Sequence, residues 1–327
     1  MKLIFKILIL VFCLGVALSS CRSIADKVLN ADTRDNCLYL VSGFDDAAGN
    51  TDVLFTLGFD KLQKKVFIAQ IPRDTYYKFG DGQNKINQLY ASLRAQGMDS
   101  FSAMKKTADE ISTLFGTAFD GFVGLTTDAF KAMVDALGGI DIELNYDIQI
   151  DSEEETPIIL KSGINHIDGE TAEKLVRYRM GYVRGDLARI DVQKIFLNSL
   201  FSKLSEGLTL PRLLPVVNVI KDKIITDVDI LEMADFIISN AGTVNESETF
   251  FVTVPGEAIQ DNNGISYYVI NRKSGINIAK KYMFSENEFD TQRRLLREDE
   301  AGFANIYEDD SIFPKEYDSN SLSKIQI

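Results

Sequence analysis

The chain has 327 residues, 45% of them apolar, and a formal net charge of -13 at pH 7. That is enough apolar content for one large core or two modest ones, and too acidic a balance for a nucleic-acid backbone as partner. Three cysteines and a single histidine exclude a cysteine metal cluster and argue against a Ser-His hydrolase or a histidine-rich metal centre.

At the N-terminus Lys2 and Lys6 precede an apolar run from Ile7 to Leu18, followed by Ser19-Ser20-Cys21. This is the layout of an export signal, and the run is short for a bilayer span. Leu18-Ser19-Ser20-Cys21 resembles the lipobox of bacterial lipoproteins, in which cleavage leaves a lipidated Cys21 as the new N-terminus. The alternative is an uncleaved signal anchor that counts Ile4 and Phe5 into a span, a physically different attachment. With Cys13 inside the signal, an exported chain keeps Cys37 as its only thiol and forms no internal disulfide. The expected organisation is a signal over 1–21, a polar linker over 22–36, a catalytic domain over 37–284, and an acidic, poorly patterned and mobile tail over 285–327.

Cys37 to Val41 reads as a buried strand, followed by a small-residue loop with Asp45 and Asp46 that closes at Gly49-Asn50. Val53 to Phe59 and Val66 to Ile71, joined by a short charged turn, read as a hairpin. Asp45 and Asp52 therefore lie at the end of one strand and the start of the next. Pro72 stops the third strand because it has no N–H, so Arg73 and Asp74 are offered from a strand terminus. Lys85-Ile86-Asn87 opens a helical segment through Arg94, and Phe101 to Phe115 has helical apolar spacing.

A strand at Gly121 to Leu125 leads to a helix capped by Thr126 or Thr127 and ended at Gly138-Gly139. Ile140 to Leu144 alternates as a half-exposed strand, and Pro157 to Leu160 is a further strand. His166 falls in a polar segment and reads as a solvated loop residue. Asp168 caps a helix that turns Ala172, Leu175 and Val176 inward and delivers Arg177, and Leu187 to Leu204 is a second long helix. Segments 213–225 and 228–239 read as helical, 249–254 and 265–270 as strands. The order predicts an α/β fold, a three-layer α/β/α sandwich with a central mixed sheet flanked by helices.

From Lys174 to Lys194 there are six basic residues and two acidic ones, against the trend of the whole chain. Asp186, Arg189 and Gln193 share a helix face by spacing. Guanidinium forks bind phosphate oxygens two at a time and keep their charge, so the stretch suits a diphosphate; a solvated helix face with internal pairs accounts for it equally.

Taken together, Gly43-Phe44-Asp45, Thr51-Asp52-Val53-Leu54-Phe55, Ile71-Pro72-Arg73-Asp74-Thr75, Lys85-Ile86-Asn87, Val134 to Ile140, and Arg177-Tyr178-Arg179 followed by Asp186, Arg189 and Gln193 resemble the LytR-CpsA-Psr family of bacterial envelope phosphotransferases. The resemblance implies transfer of a glycopolymer from a polyprenyl diphosphate carrier to a sugar hydroxyl of peptidoglycan or another envelope glycan, as a phosphodiester, outside the cytoplasmic membrane. It implies Mg2+ (or Mn2+) held by Asp45 and Asp52, and a diphosphate clamp of Arg73, Arg177, Arg179 and Arg189. Asp74 is then the base or the holder of Arg73; Asp186 and Gln193 orient arginines or sugar hydroxyls; Lys85, Asn87 and Arg184 bind substrate. An apolar lipid channel lined by the helices of Phe101 to Phe115 and Leu187 to Leu204 is one reading of those stripes, ordinary core the other.

One family arginine, just before the Thr51-Asp52 start, is Asn50 here, and Arg184 or Lys85 would have to replace its charge. Two other functions fit the same residues: a polyprenyl diphosphate hydrolase, with water in place of the acceptor, and a non-catalytic surface lipoprotein that binds polyprenyl or phosphoglycan groups. Metabolic labelling with a palmitate analogue is expected to mark Cys21; a chain that stays unlabelled refutes the lipoprotein reading.

Overall fold

A computed structural model of the protein describes residues 35–45, 49–81, 84–151, 157–178, 186–205, 215–216, 218–220, 222–228, 248–286, 294–297, 299–322 and 325. The expected export signal with Cys21, and most of the expected linker, lie outside the described residues. So do Arg179 and Arg184.

Its centre is a seven-stranded mixed sheet. β1 (Asn36–Phe44), β2 (Thr51–Asp60) and β3 (Lys65–Gln70) form an antiparallel meander, with β4 (Gly121–Leu125) parallel to β1 on one side and β10 (Glu248–Thr253) parallel to β3 on the other. β9 (Ile224–Thr226) and β13 (Glu316–Asp318) close the two edges, each antiparallel to its neighbour. The period of two sorts the side chains onto two cores. Leu38, Leu40, Phe67 and Ala69 face one, while Cys37, Val41, Val66 and Ile68 face the other.

The first face is covered by α1 (Leu89–Ala95) and α2 (Ser100–Phe115), and by α6 (Arg272–Tyr282) and α7 (Ala301–Glu308). Asp99 caps α2 by accepting from the Ser102 N–H at 3.0 Å. Gly58 on β2 lets this layer come close: a Cβ there would lie 3.0 Å from the Phe284 ring. α3 (Thr127–Ala136), α4 (Gly169–Arg177) and α5 (Asp186–Ser205) pack with two small antiparallel sheets, β5 (Ile140–Leu144) with β8 (Gly163–Ile167) and β6 (Ile148–Ile150) with β7 (Ile158–Leu160). A separate ribbon, β11 (Gly256–Gln260) and β12 (Ser266–Ile270), completes the strands.

The α/β/α sandwich with a mixed central sheet is as expected, and four local readings change. The apolar stripe of α2 is core: Ala103, Met104, Ile111 and Phe115 are fully buried, and Ile195, Phe196 and Leu200 of α5 are buried in the α3–α4 cluster. Among the described residues both stripes are packed into hydrophobic core, the α2 stripe in one cluster and the α5 stripe in another. Segment 213–225 ends in strand β9, because β4 needs a partner on its open edge. His166 lies on β8, opposite Asp141, with its Nδ1 at 2.6 Å from Asp141 Oδ1, and remains exposed.

The fourth change is the tail. Leu295, Phe303, Ile306, Tyr307 and Ile312 are buried in the main core, Asn271 donates from Nδ2 to the carbonyls of Ile306 and Asp309 at 2.9 and 2.7 Å, and β13 joins the sheet. An acidic composition hid five inward-facing apolar residues. At about 1.5–3 kcal/mol for each fully buried large apolar side chain, their joint loss would rival the 5–15 kcal/mol net stability of an ordinary domain. A chain stopped after Ser285 is therefore expected to lose its cooperative thermal transition; a truncated protein that melts like the full chain refutes this packing.

Candidate active site

The site lies at the end of the sheet where β1 finishes, β2 starts and β3 finishes. The β1–β2 loop is closed by Asp45 N–H to Asn50 O and Gly49 N–H to Asp45 O, both 2.8 Å, with Gly49 at φ +66°, a conformation that suits glycine. Gly43 pairs with Val53 and Phe44 with Thr51, so Asp52 has no partner across the ladder. That bulge breaks the alternation and re-aims a side chain, as bulges beside active sites do. Thr51 turns inward and donates its hydroxyl to Asn87 O at 3.3 Å. Asp52 turns into a cavity.

After β3, the Pro72 carbonyl accepts from Thr75 N–H at 3.0 Å and Thr75 Oγ1 at 2.6 Å, a tight turn that presents Arg73 and Asp74. Strand β12 holds this turn, with Tyr268 N–H donating to Asp74 O at 2.8 Å. Lys85 bridges back to Tyr76, and Asn87 N–H reaches Arg73 O at 3.3 Å. From the other side come Arg177, at the last turn of α4, and Arg189, near the start of α5.

These elements enclose a cavity of about 320 Å3 lined by Asp45, Asn50, Asp52, Arg73, Asp74, Lys85, Asn87, Gln88, Arg177 and Arg189. Four cations and three carboxylates share it. Arg73 Nη1 pairs with Asp52 Oδ1, and Lys85 Nζ with Asp74 Oδ1 at 2.9 Å. Arg177 sits 2.6 Å from Glu173 and 3.6 Å from Asp45. Burial works against the Arg177 charge, but Glu173, Asp45 and Asp52 outweigh it and hold the guanidinium pKa above its ordinary value. Arg189 is 1% exposed and donates to the Asp52 carbonyl at 3.4 Å. The buried Asn87 Oδ1 has no hydrogen-bond partner among the described residues, an acceptor left over for a ligand donor.

Most residues singled out in the sequence meet here: Asp45, Asp52, Arg73, Asp74, Lys85, Asn87, Arg177 and Arg189. Gln193 does not. It is 4% exposed, donates to Val176 O at 3.0 Å and accepts from Gln70 Nε2 at 3.4 Å, so it ties α5 to α4 and the sheet instead of facing substrate. The Asp186 side chain lies outside the described residues. Gln88 and Glu173 went unremarked in the sequence; the i, i+4 spacing of Glu173 and Arg177 was the available signal.

Asp45 and Asp52 both line the cavity, each beside an arginine, and among the described residues no three metal-ligating side chains converge. Mg2+ commonly takes one or two carboxylates and completes its shell with phosphate oxygens and water. The donor set fits that ion together with a phosphate ligand. The cavity size suits a charged headgroup.

The pattern of the LytR_cpsA_psr family matches residues 20–283. The polyisoprenyl-teichoic acid–peptidoglycan teichoic acid transferase TagV of Bacillus subtilis is 27% identical over 224 residues, 67% of this chain and 55% of the relative. Its crystal structure superposes with a TM-score of 0.63 at 23% identity, over 77% of this chain and 97% of that one. The transferase TagU of Oceanobacillus iheyensis is 24% identical over 75% of this chain and 70% of its own. The structure of gbs0355 from Streptococcus agalactiae has a TM-score of 0.66 at 18% identity, covering 83% and 93%.

Four converging cations predict that the cavity binds inorganic diphosphate. A ligand at a hundred times its dissociation constant adds about 2.7 kcal/mol to stability, so a raised melting temperature is expected with diphosphate and not with equal chloride, and Arg177→Ala should abolish most of the shift. A wild-type chain indifferent to diphosphate refutes the assignment.

Proposed function

The chain belongs to the LytR-CpsA-Psr family, and on that premise we propose that it transfers a glycopolymer from a polyprenyl diphosphate carrier to a sugar hydroxyl of peptidoglycan or a similar envelope glycan. The observation that carries the reading is the cavity at the sheet end, where Arg73, Lys85, Arg177 and Arg189 alternate with Asp45, Asp52 and Asp74. Phosphoryl transfer needs alignment and neutralised charge more than a protein nucleophile, and the described residues lining the cavity include no cysteine, histidine or serine. Relatives named as teichoic acid transferases support the same substrate class.

In this scheme the acceptor hydroxyl oxygen attacks the phosphorus that bears the glycan. The new P–O bond makes the phosphodiester, the bond to the bridging oxygen breaks, and polyprenyl phosphate leaves with that electron pair. Asp74, held 2.9 Å from Lys85, accepts the hydroxyl proton. Arg73, Arg177 and Arg189 hold the phosphate oxygens and take up the developing charge, which oriented donors in a water-poor site do well. Arg179 and Arg184, two and seven positions after Arg177, would add their charges to the clamp, and Asp186, in the first turn of α5, would orient an arginine of it. Mg2+ or Mn2+, held by Asp45 and Asp52, would supply further neutralisation of the diphosphate.

Lys85 lines the cavity together with Asn50 and supplies the positive charge that the family's arginine provides at the latter position. The place of work is the envelope outside the cytoplasmic membrane, with the lipid on Cys21 as anchor. No helix among the described residues is long and apolar enough to cross a membrane.

Incubation with a polyprenyl diphosphate glycan, Mg2+ and peptidoglycan fragments is expected to give a phosphate-linked glycan product. Free glycan phosphate instead would establish the hydrolase, and bound lipid without product the non-catalytic carrier. Arg73→Ala and Arg177→Ala should each lower kcat about a hundredfold or more; near-normal turnover would refute their roles.

A further inference from the structure

The segment after residue 283 lies beyond the family match, yet it reaches the cavity through a chain of aromatic rings. Lys85 Nζ stands 5.7 Å from the centre of the Tyr267 ring. Tyr267 packs against Tyr76 and Phe303 with centroids 5.5 and 5.6 Å apart, and Tyr76 meets Phe303 edge-on at 5.2 Å. All three rings are at most 6% exposed. Arg297 covers the far face of the cluster, 5.5 Å from Phe303, and is tied down by Asp261 at 3.1 Å and Glu300 at 3.0 Å. The same segment grips the backbone of the site loop, with Lys78 N–H donating to Arg294 O at 2.8 Å.

We propose that Tyr267 is a positioning residue for Lys85, and that Phe303 and Arg297 of the C-terminal segment hold its ring against the Lys85 ammonium. A lysine has four rotatable bonds and a compact, strongly hydrated charge. Asp74 fixes it from one side; the electron-rich ring of a buried tyrosine attracts it from another. Burial pushes the Tyr76 and Tyr267 phenols up, with the Arg297 charge opposing it, so both rings stay neutral at working pH and neither competes with Asp74 as an anion. The ammonium then meets the incoming phosphate already desolvated and aimed, at the position where Asn50 brings no charge of its own. Helix α7 thereby becomes part of the site's framework.

The inference rests on the proposed function only for its rate readout, so the test begins with two that need no turnover. In the full chain with 13C-dimethylated lysines, the Lys85 resonance is identified by its disappearance in Lys85→Arg. Ring current should displace it upfield in the native protein and in Tyr267→Phe. It should return to the position of solvated lysines in Tyr267→Leu, and move part of the way in Phe303→Leu. Calorimetry should show inorganic diphosphate binding five- to tenfold weaker in Tyr267→Leu and near normal in Tyr267→Phe. In a Lys85→Met background the Tyr267→Leu change should cost nothing further. With a glycan donor, the loss should fall on KM more than on kcat.

An undisplaced Lys85 resonance in the native chain overturns the proposal. So does a Tyr267→Leu affinity equal to the native value, or the same loss with and without Lys85. If Tyr267→Leu fails to fold, Phe303→Leu decides: an unmoved Lys85 resonance there refutes the part assigned to the segment, a partial return supports it. Absence of transferase turnover with the NMR and binding results intact would count against the proposed function alone.

Discussion

The site depends on one irregularity in the sheet, the bulge that leaves Asp52 without a partner between β1 and β2. In a regular ladder, side chains alternate between faces, and a residue at that place would be committed to one of the two cores. The extra residue instead directs a carboxylate off the strand end, where it pairs with Arg73 arriving from β3. Arg189, almost wholly buried, donates to the carbonyl of the same residue. Two arginines from distant parts of the chain are thus placed by a single aspartate, through its side chain and its backbone.

Charge balance explains why such a cavity can fold. Cations crowded together without compensation would strongly oppose one another in a partly desolvated cleft. Here carboxylates stand between them, and Glu173 adds a further anion behind Arg177. Among the described residues the four lining cations are thus matched by three lining carboxylates and Glu173.

The layers around the sheet do more than cover it. Gln193 and Gln70 join α5 to the sheet by buried amide contacts, so the helix that carries Arg189 is registered on the end of β3, from which the turn bearing Arg73 leaves, beside the strand that carries Asp52. On the opposite side β12 pairs with the Asp74–Tyr76 stretch, and α7 packs behind it. The binding groups are on loops and element ends, but every one of those ends is fixed to a rigid neighbour.

Much of this was legible in the residues. Periodicity located β1 to β5, α2, α4 and α5, because each buries a stripe whose spacing is local information; Asp168 and Thr126 announced their helices by capping chemistry. The arginines and aspartates stood out as charges at strand and helix ends. The tail did not, since its inward residues, Leu295, Phe303, Ile306 and Ile312, are spaced through acidic sequence and gain meaning only from the surface they meet. Nor did the roles of Gln193 and Tyr267, which depend on contacts across more than a hundred residues of chain. The sequence by itself determined the fold class, the family and the charged residues of the cavity, because propensity, pattern and residue type are local. The tertiary structure decided which charges pair, which polar groups are buried, and that the C-terminal segment belongs to the core, because those outcomes depend on long-range proximity and the exclusion of water.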